Sequence, residues 1–224
     1  MTRNRLAVAS IILVLAMLGL SVWIGRGLPE DIQLPVHWNL AGEADGFASK
    51  WPALLMPTAV TAPVALLFYF LPALEPRREG LERSSGLYLW GWASLLFMGA
   101  ALQFVTAAVA LGWPVRVNQV IVGAVGVMIL VIGNQLGKSR SMYLVGIRTP
   151  WTLASEEVWV RTHRLGGKLM VLAGLAMIGA ALLPLPSGLL WTVLIAAVIL
   201  AAVVPIVYSY LLWRREQAGR QPSP

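Results

Sequence analysis

The sequence predicts an all-α, polytopic membrane protein with six transmembrane helices and both termini on the cytoplasmic side. Three observations point there. The 224 residues are 58% hydrophobic and only 12% charged, against roughly a quarter charged in a soluble domain, so too little polar surface exists to clothe a soluble globule. Uncharged apolar runs recur at the length of about 20 residues that crosses about 30 Å of hydrocarbon. The basic residues then collect on one side of the resulting topology. No cysteine is present, which excludes disulfides, thiolate metal sites and cysteine nucleophiles. A formal charge of +7 would suggest nucleic acid in a soluble protein. Topology explains it first here, and no direct nucleic-acid contact is expected.

Arg3 and Arg5 precede the first span, 6–25, which is too long for a signal peptide and lacks an A-x-A cleavage pattern. An acidic, turn-rich loop follows at 26–50, with a short extended segment at 33–38 and turn signals at Ala41-Gly42 and Asp45-Gly46. The second span, 52–71, contains Pro57 and Pro63, expected to kink it or to free carbonyls that neighbouring helices, or hydroxyls such as those of Thr58 and Thr61, would satisfy. A charged link from Glu75 to Arg83 leads to the third span, 88–111, with Trp90 and Trp92 as an interfacial belt. The fourth span, 117–136, carries Gly123, Gly126 and Gly133, which allow another helix to approach closely. After a polar loop at 137–168, the uncharged stretch 169–213 is too long for one helix. The run LPLPSG breaks it into a fifth span, 169–183, extended towards the loop by its polar first turns, and a sixth, 189–213, with Pro205 in the latter.

This arrangement places fourteen basic residues on the inner side and only Arg26, Lys50 and Arg116 outside. No segment dissents from the positive-inside rule. The 137–168 loop is then cytoplasmic and the acidic loop faces outward. Two halves are expected, 1–112 with spans one to three and 113–224 with spans four to six.

The 137–168 loop is the longest polar interruption and the richest in signals. Thr149-Pro150 suits a cap followed by proline at the first helical position. Ser155 is a second cap, with Glu156 and Glu157 in the positive first turn of a helix. From there Glu157, Arg161, Arg164 and Lys168 share one face and Trp159, His163, Gly166 and Met170 another, an amphipathic helix at or entering the inner membrane surface. The basic residues are accounted for by topology and anionic lipid, at about 1 kcal/mol each near the surface. A docking surface anchored by Arg148, Trp151 and Trp159 is the sharper reading.

The segment VGIRTPWTLASEEVWVRTHRLGG resembles the signature of the SdpI family of bacterial membrane immunity proteins. The matching positions run from Gly146 through Ile147, Arg148, Thr149, Pro150, Trp151 and Thr152 to Leu153. Trp159, Thr162, His163 and Gly166 continue it, and Gly133-Asn134 resembles the motif ending the preceding span. Met142 departs from the pattern, standing where a polar residue is expected. The outer loop resembles a domain of unknown function that often precedes this signature, through Leu28, Pro29, Pro35, His37, Gly42, Asp45, Gly46 and Lys50. The resemblance implies an inner-membrane protein that protects its cell against a secreted, membrane-active peptide toxin. It also implies signalling, by docking a cytoplasmic repressor.

On that reading the outer loop, with His37, Trp38, Gly42, Asp45 and Lys50, meets the toxin. Spans four and five transmit the event. The inner loop, with Arg148, Thr149, Pro150, Trp151, Trp159, Arg161, His163 and Arg164, answers to a partner or to lipid. A transporter or flippase for a small amphiphile is the alternative, although no span interior holds a charge to couple. Gln103 and Asn134, the main polar side chains there, read as interhelical hydrogen-bonding residues. A membrane-bound hydrolase comes third, because His163 lies nearly two turns from Glu156 and Glu157 and no nucleophile accompanies it. No catalytic residue, cofactor or metal is expected. His37 among acidic residues is more often a turn or packing residue than a ligand.

Overall fold

The computed structural model describes residues 2–220. Six long helices dominate it: α1 (Arg3–Gly27), α2 (Lys50–Leu74), α4 (Ser85–Ala110), α5 (Val117–Leu136), α7 (Glu156–Leu182) and α8 (Ser187–Arg220). All six are long and apolar enough to cross a membrane. Two short helices, α3 (Arg78–Arg83) and α6 (Pro150–Ala154), lie in connectors. A hairpin of β1 (Gln33–Trp38) and β2 (Ala44–Ser49) sits between α1 and α2. Consecutive long helices pack on one another, α1 also meets α4, and α5 meets α8. The bundle therefore has a hairpin end, with the α4–α5 and α7–α8 connectors, and a loop end, with α3, α6 and residues 137–149.

The spans fall where the hydropathy places them. The uncharged part of the fifth span begins at residue 169, and α7 extends it through its polar first turns back to Glu156, behind the Ser155 cap. The cause is local. Ser155 Oγ accepts from Val158 N–H at 3.3 Å, and Glu156 and Glu157 sit in the first turn, where the helix dipole favours them. The charges of the following turns point out while Val158, Trp159, Thr162 and His163 are buried, so the helix continues through them. The other boundaries shift by a turn or two, and α2 runs unbroken through Pro57, Pro63 and Pro72.

Hydroxyls near those prolines behave differently from expectation. Thr61 Oγ1 donates to Pro57 O, a carbonyl that proline does not free, at 2.7 Å. Thr58 Oγ1 instead donates to Gln103 Oε1 at 3.4 Å. Gln103 Nε2 in turn donates to Ser21 Oγ at 3.1 Å, and Ser21 Oγ to Leu54 O at 2.8 Å. This buried chain joins α1, α2 and α4 where water is excluded and each polar group needs a partner. Asn134 plays no such part. It is exposed on α5, and among the described residues its side chain has no hydrogen-bond partner.

Helices α5 and α7 make the most intimate pair. Gly126 and Gly133 on α5 face Gly174 and Gly167 on α7, each pair seven residues apart. A methyl group on Gly174 would lie 2.6 Å from Gly126 O, and one on Gly167 would lie 2.7 Å from Gly133 O. Backbones so close leave no room for any side chain at these four positions, and close approach is what drives association in lipid.

At the other end the hairpin turns at residues 39–43, where Asn39 N–H donates to Glu43 O and Gly42 N–H to Asn39 O, both at 2.9 Å. Gly42 has φ +89°, open to glycine. The turn signal at Asp45-Gly46 is not a turn: both residues lie in β2, Gly46 pairing with His37. An isolated two-stranded hairpin is marginal in water. This one is held by Leu34, buried against Ile24, Ala53, Leu54 and Ala107 of the bundle. Lys50 is buried as well, its Nζ donating to Leu28 O at 3.2 Å and pairing with Glu30 at 2.8 Å.

The α5–α7 contact sets a test. Gly174→Val should cost about 1–3 kcal/mol, the range for overpacking a tight site, and lower the thermal unfolding midpoint in detergent. Gly179→Ala, with nothing within 4 Å of the new methyl, should leave it unchanged. Equal midpoints would contradict the close packing.

Candidate functional site: the loop between α5 and α7

Residues 138–149 form neither helix nor strand. Their backbone groups find no ladder, yet several lie within the fold, and a buried unpaired N–H is expensive. Side chains from other elements answer them in turn. Arg140 N–H donates to Ser84 Oγ at 2.8 Å and Ser141 N–H to Glu156 Oε2 at 3.3 Å. Tyr143 and Leu144 N–H donate to the two oxygens of Glu75, at 2.9 and 2.7 Å. Ile147 N–H donates to His163 Nε2 at 2.8 Å, and Thr149 N–H to Thr152 Oγ1 at 2.9 Å.

Glu75 is the centre of this arrangement. It terminates α2, is 1% exposed, and also accepts Arg77 N–H at 2.9 Å. The Arg77 guanidinium reaches the same loop, donating to Ser141 Oγ, to Tyr143 OH at 3.2 Å and to Leu153 O at 3.3 Å. It lies 4.4 Å from the Tyr143 ring centroid, in cation–π contact. Both residues belong to the link after span two. The sequence marks that link only as charged, because no local pattern ties it to a segment nearly seventy residues on.

His163 is held from both sides. Nδ1 faces Trp159 O at 2.8 Å, and a carbonyl can only accept; Nε2 faces the Ile147 N–H, which can only donate. The ring is therefore neutral with its proton on Nδ1. It stacks on Trp159 at 3.9 Å and 16°, and Trp159 Nε1 donates to Ser139 Oγ at 3.3 Å. Gly146 passes over this pair with φ +121°. A methyl group there would lie 2.7 Å from His163 Nε2 and 2.9 Å from the Trp159 ring, so conformation and space both demand glycine. Met142, the departure from the family pattern, is fully buried beside Trp159 in a core with Leu6, Tyr88 and Trp92. It serves as packing.

The remaining predicted residues divide between interior and surface. Thr149 is buried: it caps α6 in a capping box with Thr152, with Pro150 at the first position. Its Oγ1 lies 3.1 Å from Ser209 Oγ on α8, and half-buried Trp151 lies 5.1 Å from the Tyr210 ring. Trp159 and His163 are fully enclosed, so neither presents a face to a partner. Arg148 is exposed and donates to Tyr143 O at 3.0 Å. Arg161 is exposed and pairs with Glu157 at 3.2 Å, and Arg164 is exposed. Beside the loop opens a polar basin of about 910 Å³ lined by Arg78, Arg83, Lys138 and Arg140, with Glu79 and Glu156.

At the hairpin end, His37 Nδ1 lies 2.5 Å from Asp45 Oδ1 across the strands, exposed to solvent. Trp38 is half-buried and Gly42 forms the turn. Among the described residues no three His, Asp or Glu side chains converge as a metal site would require.

Comparison with known proteins agrees with both resemblances drawn from the sequence. Residues 138–209 match the SdpI/YfhL protein family, and residues 12–62 match a domain of unknown function, DUF1648. The chain is 26% identical to "Immunity protein SdpI" of Bacillus subtilis (strain 168), over 95% of this chain and 98% of that protein. No solved structure matches it. Six apolar helices and this kinship describe a multi-pass protein of the bacterial inner membrane.

The role of Glu75 yields a measurable expectation. Glu75→Ala strands three N–H groups, and each buried unsatisfied group costs about 1–3 kcal/mol. Trypsin should then cut the loop at Lys138, Arg140 and Arg148 at least tenfold faster than in the wild-type protein, whereas Glu75→Gln, which keeps one acceptor oxygen, should fall between. Unchanged cleavage would show that the loop is held by other means.

Proposed function

From the SdpI/YfhL-family region at 138–209, set in a chain aligned nearly end to end with an immunity protein, we propose that this protein confers immunity to a membrane-active peptide toxin. The end-to-end alignment is the observation that carries the reading, because it spans the outer hairpin, all six helices and the inner loop together. The two halves, 1–112 and 113–224, divide reception and response. The hairpin end faces outward and meets the peptide, both termini are cytoplasmic, and the α5–α7 pair conveys the event to the loop.

The orientation rests on fourteen basic residues at the loop end against three at the hairpin end. The cytoplasmic face of the loop then offers Arg148, Arg164 and the basic basin to anionic lipid or to an acidic surface on a repressor. A non-catalytic role agrees with His163, both of whose ring nitrogens are engaged by backbone groups.

Two experiments test this. Producing the protein in a sensitive bacterium and challenging with a membrane-active peptide should raise the lethal concentration at least tenfold, and Gly146→Val should abolish the gain. Unchanged killing across a panel of such peptides would remove the immunity reading. Orientation can be read separately, since the chain has no cysteine of its own. In intact cells an impermeant maleimide should label Ala41→Cys but not Ser155→Cys; the reverse pattern would invert the topology.

A further inference from the structure

At the hairpin end a cleft of about 550 Å³ opens between the hairpin turn and the α4–α5 and α7–α8 connectors. Its lining mixes apolar side chains, Trp38, Trp113 and Leu185 among them, with the polar Arg116, Asn118, Gln119 and Ser187. Asn118, at the start of α5, is 6% exposed, and its Nδ2 is buried with no hydrogen-bond partner. A methyl group on Gly42 would lie 2.8 Å from that Nδ2 and 2.8 Å from Ser187 Oγ, so both atoms crowd the glycine of the turn. Arg116, two residues before Asn118, is exposed, and among the described residues it has no acidic partner. A buried donor left unpaired is costly, and native folds keep such groups mainly where something else completes them.

The geometry points to a binding site for the C-terminal carboxylate of an apolar peptide. A carboxylate brings two acceptor oxygens to a cleft that supplies a guanidinium and an unpaired amide donor, the charge-assisted pairing that backbone or neutral acceptors do not match. Trp38 and Trp113 receive the apolar side chains next to the terminus, in a volume usual for a ligand site. Gly42 lets the hairpin turn lie directly against Asn118 and Ser187, since a side chain there would collide with both. The assignment rests on the immunity reading for the identity of its ligand as a peptide, and on the cleft alone for its chemistry.

The test uses the full chain in neutral detergent and an N-terminally fluorescein-labelled, leucine-rich hexapeptide followed by anisotropy. The free acid should bind saturably, with the C-terminal amide and octanoate each at least tenfold weaker. Arg116→Gln should weaken the free acid about tenfold and the amide hardly at all. Asn118→Leu should weaken the free acid similarly while keeping or raising the thermal midpoint, because it removes an unpaired buried donor; a purely structural Asn118 would instead lower it. An amide or octanoate that binds as tightly as the free acid, or an Arg116→Gln protein that binds unchanged, would overturn the site. Peptide binding by a wild-type protein that gives no immunity would support the cleft and remove the immunity reading. Full immunity in an Arg116→Gln protein that no longer binds would exclude the cleft as the toxin's site and leave immunity standing.

Discussion

Irregular backbone near a membrane must be hydrogen-bonded from somewhere, and at the loop end of this bundle it is side chains that supply the partners. Six N–H groups between residues 140 and 149 are taken by Ser84, Glu75, Glu156, His163 and Thr152. These acceptors come from α2's end, the start of α4, and the α6–α7 segment. The loop therefore cannot hold its shape unless those helices are already in register, and their ends are in turn clamped by it. Three residues of the Gly146–Trp159 signature have mechanical roles in this frame: Gly146 clears the His163–Trp159 stack, Thr149 and Thr152 close the capping box, and Thr149 also reaches α8.

The same frame explains how the two ends of the molecule are connected. The loop joins α5 to α7 directly, and these two helices touch backbone to backbone at two levels, through Gly126 with Gly174 and Gly133 with Gly167. Such a pair cannot part without losing its packing. Its hairpin end carries Asn118 and its loop end runs into the segment that Glu75 and Arg77 grip. The halves on either side share a core at the loop end, where Leu6 and Trp92 meet Met142 and Trp159.

Much of this architecture was legible in the residues because hydropathy and length are one-dimensional properties. The six spans, the caps at Thr149 and Ser155, the extended segment 33–38 and the role of Gln103 all follow from local pattern. What was not legible depends on partners distant in sequence. Nothing around Glu75 indicates that its carboxylate will cap residues 143 and 144, and nothing in Gly167 or Gly174 indicates which helix will press on them. Asp45-Gly46 offered turn chemistry that the pairing of β2 with β1 overrode. His163 and Trp159 look like surface anchors when read as an amphipathic stripe; the loop folded over them makes them interior.

Lys50 gives the β1–β2 hairpin a property of a different kind. Its ammonium fastens Leu28 and Glu30 at one side of the base, while its own backbone begins α2 at the other, so the intervening segment is closed across its foot. Closing the base locally means that the entropy of the tip is charged to a short ring and hardly to the bundle, and that cost changes slowly with length. Residues 31–49 can therefore be lengthened or replaced at little cost to the helical frame. That clasp makes the hairpin a place where the sequence can change without rebuilding the core.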